Sequence, residues 1–164
     1  MKKLLLLILV VLFSGSSYYT GYVPILMFRS ELETSVRLTD TVMVVRNPGR
    51  IYVYQNWLML VEKFKGVHLI DNTDPTNPVR KGFLRVPGCQ NLAVGNGTLY
   101  VDNAVDLVGV KINLTTMQGR VVARSRRALP EIKNPEGFMQ WRYARPNRQA
   151  NTEIVGWINY TEAL

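Results

Sequence analysis

The sequence predicts an all-β fold, built of four-stranded antiparallel blade repeats that form a partial, about two-blade, β-propeller-like domain. Three observations predict it. Between Gly49 and Pro78 lie three short runs rich in β-branched and aromatic residues, Ile51–Tyr54, Trp57–Val61 and Gly66–Ile70, each ended by polar, Gly, Asn or Pro residues. Runs so spaced read as consecutive antiparallel strands. The stretch also recurs: Ile51 to Val61 set over Leu92 to Asp102 matches apolar residues at 51/92, 53/94, 58/99 and 60/101. Finally, the turns coincide, with Gln55-Asn56 falling on Asn96-Gly97, a type I′ hairpin signal. The period is 41 residues, and 40 after a one-residue deletion that sets Gly66–Thr73 over Asp106–Asn113. Four-strand propeller blades repeat every ~40–45 residues.

The elements follow in order. Met1-Lys-Lys, the apolar run Leu4–Phe13 and the small residues Ser14–Ser17 make a three-part secretory signal pattern over residues 1–17. The run is shorter than the roughly 18–20 residues of a spanning helix, so an uncleaved anchor is the second reading. No Cys follows it to take a lipid. Residues 18–48 form a lead-in: Tyr18–Pro24 reads as turn-like, Ser30 and Glu33 have capping-box spacing for a short helix, and Thr41–Val45 reads as a strand. Asn47-Pro48-Gly49 is a turn. Residues 49–127 hold the two repeats, 49–88 and 89–127. In the first, Asp71 to Pro78 is a structured turn of Asp, Asn, Thr and Pro, and Val79–Val86 is the fourth strand. In the second, Gly119–Arg126 is the fourth strand, and alternation places Arg120, Arg124 and Arg126 on one face. Residues 128–164 are a loop-rich tail with one strand, Glu153–Tyr160, for which the sequence offers no partner.

Composition bounds the function. A chain of 164 residues with 47% hydrophobic and 20% charged residues supports one packed domain and excludes wholesale disorder. The single Cys89 excludes an intramolecular disulfide framework and a multi-cysteine metal site. The net charge of +8 is weighted to the second half, in Lys111, Arg120, Arg124, Arg126, Arg127, Lys133, Arg142, Arg145 and Arg148. Such a balance favours anionic partners or marks an ordinary solvated face.

The string Gly66 to Pro78, GVHLIDNTDPTNP, resembles the LVIVD-repeat proteins, a family of bacterial exported β-propellers named for a Leu-Val-Ile-Val-Asp core. Asn47–Val53 and Asn91–Asp102 are similar to the N-terminal blades of such proteins. The resemblance spans about Tyr22 to Ile112. It departs at Lys111, which stands where the motif Asp would be. About two blades cannot close a ring, since propellers typically use ~4–8; the chain is then a truncated relative, or pairs its open edges with something else. The resemblance implies export and no enzymatic activity, hence no catalytic residues to carry over.

The chemistry-bearing residues select no site. His68, the only histidine, sits mid-strand with no second His and no G-x-S-x-G serine among Ser30, Ser35 and Ser125. Asp71 and Asp74 read as turn-forming residues, and with Asp102 and Asp106 they lack EF-hand spacing. Glu31, Glu33 and Glu62 select no carboxylate pair for hydrolysis. Trp141, Tyr143, Trp157 and Tyr160 lie among arginines and suit stacking on sugars or bases, yet no nucleic-acid-binding motif is present. No catalytic, cofactor-binding or metal-ligating residue is therefore assigned. The expectation is an exported, non-enzymatic binding or scaffold module of the bacterial cell envelope, in periplasm, at the cell surface or outside. Its expected partner is a protein or polysaccharide, with no nucleic acid, membrane contact only through an uncleaved signal segment, and association through open strand edges. The alternatives are an extracellular hydrolase using carboxylates and a propeller fragment without independent function.

Overall fold

The short apolar runs become strands in a computed structural model that describes residues 21–159. The signal segment 1–17 and the aromatic Tyr160 lie outside the described residues. Each repeat gives a four-stranded antiparallel meander. The first meander, named the first blade after the repeat that the sequence predicts, comprises β3 (Pro48–Tyr54), β4 (Trp57–Glu62), β5 (Gly66–Asp71) and β6 (Val79–Arg85). The second comprises β7 (Leu92–Gly95), β8 (Thr98–Asn103), β9 (Asp106–Asn113) and β10 (Gln118–Ser125). Strand β2 (Arg37–Thr39) joins β6 as a fifth strand of the first sheet. The turns obey their chemistry: Asn96 and Gly97 both take positive φ, 49° and 67°, as a type I′ hairpin requires. Gly66 also has φ 150°, and a Cβ there would overlap the Leu84 carbonyl.

Register explains how the blades stack. Ile51 pairs with Leu60 and Val53 with Leu58; at equivalent positions Leu92 pairs with Val101 and Val94 with Leu99. Because side chains alternate across a strand, Met59, Val61, Val67, Leu69 and Leu84 share the opposite face of the first blade. They pack against Leu99, Val101, Val108 and Val110 of the second in one buried core. Equivalent positions of the two repeats therefore point the same way. Leu58 and Leu60 face away from the second blade, while their counterparts Leu99 and Val101 face the first. That is head-to-tail stacking. Among the described residues no closed barrel or propeller ring forms.

A second layer lies across the β4–β5 and β8–β9 turns. It consists of β1 (Tyr22–Phe28), α1 (Arg29–Thr34) and β11 (Thr152–Asn159), with β1 and β11 paired as an antiparallel ribbon. Its own core gathers Leu32, Ala104, Ile132, Ile154, Val155 and Trp157. Phe64, in the β4–β5 turn, packs against it and lies against Gly156.

Several expectations need correction. Thr41–Val45 is not a strand; its neighbour β2 is. The segment's backbone is committed to side chains, since Arg80 donates to the Met43 carbonyl at 3.1 Å and Glu62 accepts the Arg46 and Asn47 N–H groups. Val42 and Val44 stay exposed, so no buried face rewards a ladder. The lead-in residues from Tyr22 onward are strand, because β11 supplies the partner that sequence did not reveal for Glu153–Asn159. Ser30 caps nothing: Phe28 is the N-cap residue of α1, with no side-chain cap bond. The arginines of β10 do not share a face. A bulge between Val121 and Ala123 sets Arg120 opposite Lys111 but Arg124 opposite Val108, on the other side of the sheet. One extra residue reverses the alternation downstream of it.

Candidate functional site

Polar chemistry concentrates at three places, two of them closed. The first is a buried pair on the outward face of the first blade. Glu62 ends β4 and His68 lies in β5, and both face the lead-in segment. Each is 1% exposed. His68 Nε2 is 3.1 Å from Glu62 Oε2 and its ring meets Phe83 edge-on at 4.9 Å. The other Glu62 oxygen accepts the Asn47 N–H at 2.6 Å. Burial pushes the Glu62 carboxyl up, but hydrogen bonds from His68, Asn47 and Arg46 outweigh it and hold the group below its ordinary value. A carboxylate so satisfied has no lone pair directed at solvent.

The second place is an arginine–carboxylate network between the blades and the ribbon. Asp106, fully buried, accepts Arg29 Nη1 at 2.8 Å, Arg124 Nη1 at 2.7 Å and the Arg127 N–H at 2.9 Å. Glu153, also buried, accepts from Arg145 and from Arg148 at 3.0 Å, with Arg127 Nε at 3.7 Å. Glu131 binds Arg145 at 2.6 Å and Arg148 at 2.7 Å. Burial raises the Asp106 and Glu131 carboxyls, and the guanidinium hydrogen bonds bring both below their ordinary values. Of the cations of the second half, Arg124 and Arg148 are drawn inside, and Arg145 and Arg148 tether the tail to the ribbon, while the others stay exposed.

The third place is open. A cleft of about 1060 Å³ lies between the β1–β11 ribbon and the first blade. Tyr22, Ile25 and Met27 of β1, Val155, Trp157 and Ile158 of β11, and Phe64, Phe83, Pro87 and Pro135 supply apolar walls. Arg37, Lys63, Lys65 and Arg85 supply cations, and no carboxylate of the described residues lines it. None of the four cations has an ion-pair partner among the described residues. A polar cleft of about 700 Å³ adjoins it through Asn47, Lys63, Phe64 and Pro135, adding Arg50 and Lys133.

The remaining candidates fall as follows. Cys89 is fully buried, and burial pushes its thiol far up, with Asp102 adding to the effect. Such a thiol is unreactive. Asp71 accepts the Thr73 N–H at 3.0 Å and Asp74 the Thr76 N–H at 2.9 Å, so both are Asx turns. Asp102 holds the Asn91 N–H at 2.9 Å, and burial places its carboxyl above the ordinary value. Glu33 pairs with Arg29 and Arg126. Trp157 is buried, donates to the Ile132 carbonyl at 3.0 Å and stacks edge-on with Tyr143, whereas Trp141 is 80% exposed. Among the described residues no group of three His, Cys, Asp or Glu could hold a metal ion, and no helix is long and apolar enough to cross a membrane.

Sequence reasoning missed the Glu62–His68 pair and the four convergent cations. The signal for the pair was present in the hairpin: with Leu60 opposite His68, Glu62 must share their face. Arg37 opposite Arg85 depends on β2 joining β6, a long-range pairing. No protein-family model, curated protein or solved structure matches the chain.

Proposed function

We propose that the chain is an exported binding module of the bacterial envelope, built on two blades of a β-propeller-like repeat, and that it binds without turning over its ligand. One observation carries this reading. Glu62, His68, Cys89, Asp106 and Glu153 are buried, while the open cleft beside them offers apolar walls and four cations with no ion-pair partner among the described residues. A preformed apolar cleft with a few charged groups suits recognition. Glu62 and His68 are the best acid–base pair on the molecule, but at 1% exposure each they meet no substrate. Head-to-tail stacking of the repeats supports the propeller-like assignment, as does the resemblance of Gly66–Pro78 to LVIVD repeats. The signal pattern of residues 1–17 supports export.

The test has two readouts. Expressed in a bacterium, the chain is expected outside the cytoplasm with a new N-terminus near Ser14–Ser17. Retention in the cytoplasm with Met1 intact overturns export. Incubated with isolated envelopes, the exported protein is expected to co-sediment saturably and to release no fragments. Linear release of soluble product that stops in Glu62→Gln would establish the hydrolase instead.

A further inference from the structure

We infer that the cleft between the ribbon and the first blade holds a long-chain fatty acid, its tail along the apolar walls and its carboxylate among Arg37, Lys63, Lys65 and Arg85. This rests on the binding-module reading and names the ligand class of its site. The central observation is an electrostatic imbalance. Arg37 and Arg85 stand directly opposite each other across the β2–β6 pair, and like charges so placed are destabilising. Two other arginine clusters receive carboxylates, Arg29 and Arg124 sharing Asp106 and Arg145 and Arg148 sharing Glu153 and Glu131, although Arg120 opposite Lys111 does not. At the cleft none of the described residues supplies a carboxylate.

A bound anion relieves that repulsion where a neutral molecule does not. The positive field also extends into the adjoining polar cleft, where Arg50 and Lys133 again face no lining carboxylate. The other half of the ligand follows from the walls. Ile25 and Ile158 are large apolar side chains left 43% and 42% exposed on the ribbon, and an alkyl tail laid against them gains by leaving water. Charge at one end and apolar surface along the rest describe an anionic amphiphile. The cleft, about 1060 Å³, is slightly larger than the roughly 300–1,000 Å³ common for ligand sites.

The test titrates the full chain with a fluorescent fatty acid and displaces the probe with palmitate and, in parallel, with hexadecanol. Saturable binding of one palmitate per chain is expected, with hexadecanol weaker by at least about tenfold. Arg37→Glu with Arg85→Glu keeps a like-charged pair on exposed side chains, so the melting temperature should hold while palmitate affinity falls at least about tenfold. Lys63→Glu with Lys65→Glu is the independent second variant and should do the same. Equal affinity for the alcohol, unchanged palmitate affinity in both variants, or uptake without saturation overturns the assignment. Envelope association that persists in a chain indifferent to palmitate removes the fatty acid and keeps the binding module. Palmitate binding by a chain found to stay in the cytoplasm does the reverse.

Discussion

The outward faces of the two blades have been treated differently. At equivalent positions, the first blade's inward Tyr52, Met59, Val61 and Leu69 are replaced in the second by outward Ala93, Tyr100, Asp102 and Gly109. The outward face of the second blade thus carries mainly small and polar residues, and no described element covers it. The first blade's outward face keeps Ile51 and Val53, 63% and 64% exposed, beside Leu58, Leu60 and Ile70. Part of that face is covered by residues 40–47 and the buried Glu62–His68 pair, and part is left bare. The same four-strand frame tolerates either treatment because only the position in the stack decides which face needs apolar residues.

Four experiments break or sharpen this contrast, in order of expected effect. Exchanging the positions is the most damaging: Val61→Asp imports the residue of position 102 into a site with no exposure. An unpaired buried charge should cost about 3–5 kcal/mol, read as a lost or strongly shifted denaturant midpoint. Next, Glu62→Ala strands the buried His68 ring nitrogen and two backbone N–H groups, for a loss of about 2–4 kcal/mol in the same assay. If the second blade is the less dependent on its strand-end polar group, Asn103→Ala, which frees the Pro87 carbonyl and one arginine bond, costs less.

Third, acid should act chiefly through the buried carboxylates. The folded values of Glu62, Asp106 and Glu131 lie below their ordinary 4.5, 3.8 and 4.5. Their stabilisation is therefore complete above about pH 4.5 and is lost as pH falls through the depressed folded values. Melting temperature measured from pH 7 downward should hold to about pH 5 and then drop. A flat profile to pH 3 would sink this account. Smallest of all, Ile51→Lys with Val53→Thr should change stability by less than about 0.5 kcal/mol, since both side chains are mostly in water already. A larger loss would mean that the bare face is packed in solution.

The comparison also marks what was legible in the sequence. Strands β3 to β10 and their turns were legible because each lies within a few residues of its partner. Asp71, Asp74, Asn96 and Gly97 act on neighbours one to three residues away. The ribbon was not legible: Tyr22 pairs with Asn159, and nothing local announces a partner so distant. Neither was the bulge at Val122, whose only trace is a strand one residue too long for its alternation. The cations of the cleft come from the lead-in, from the β4–β5 turn and from β6, so their convergence is a property of the packing. Sequence weighted the charge to the second half; packing pairs Arg124, Arg126, Arg127, Arg145 and Arg148 with carboxylates and leaves Arg37, Lys63, Lys65 and Arg85 without one among the described residues.

One consequence of the ribbon concerns timing. Its two strands lie at opposite ends of the described chain, so closing it demands the longest loop in the fold. The blades, made of local meanders, can assemble while the chain is still emerging. The ribbon waits for residues 152–159, and with it one wall of the cleft. The last surface to be completed during folding should then be the first to open afterwards, so amide exchange at Tyr22–Phe28 sets the tempo at which anything enters or leaves.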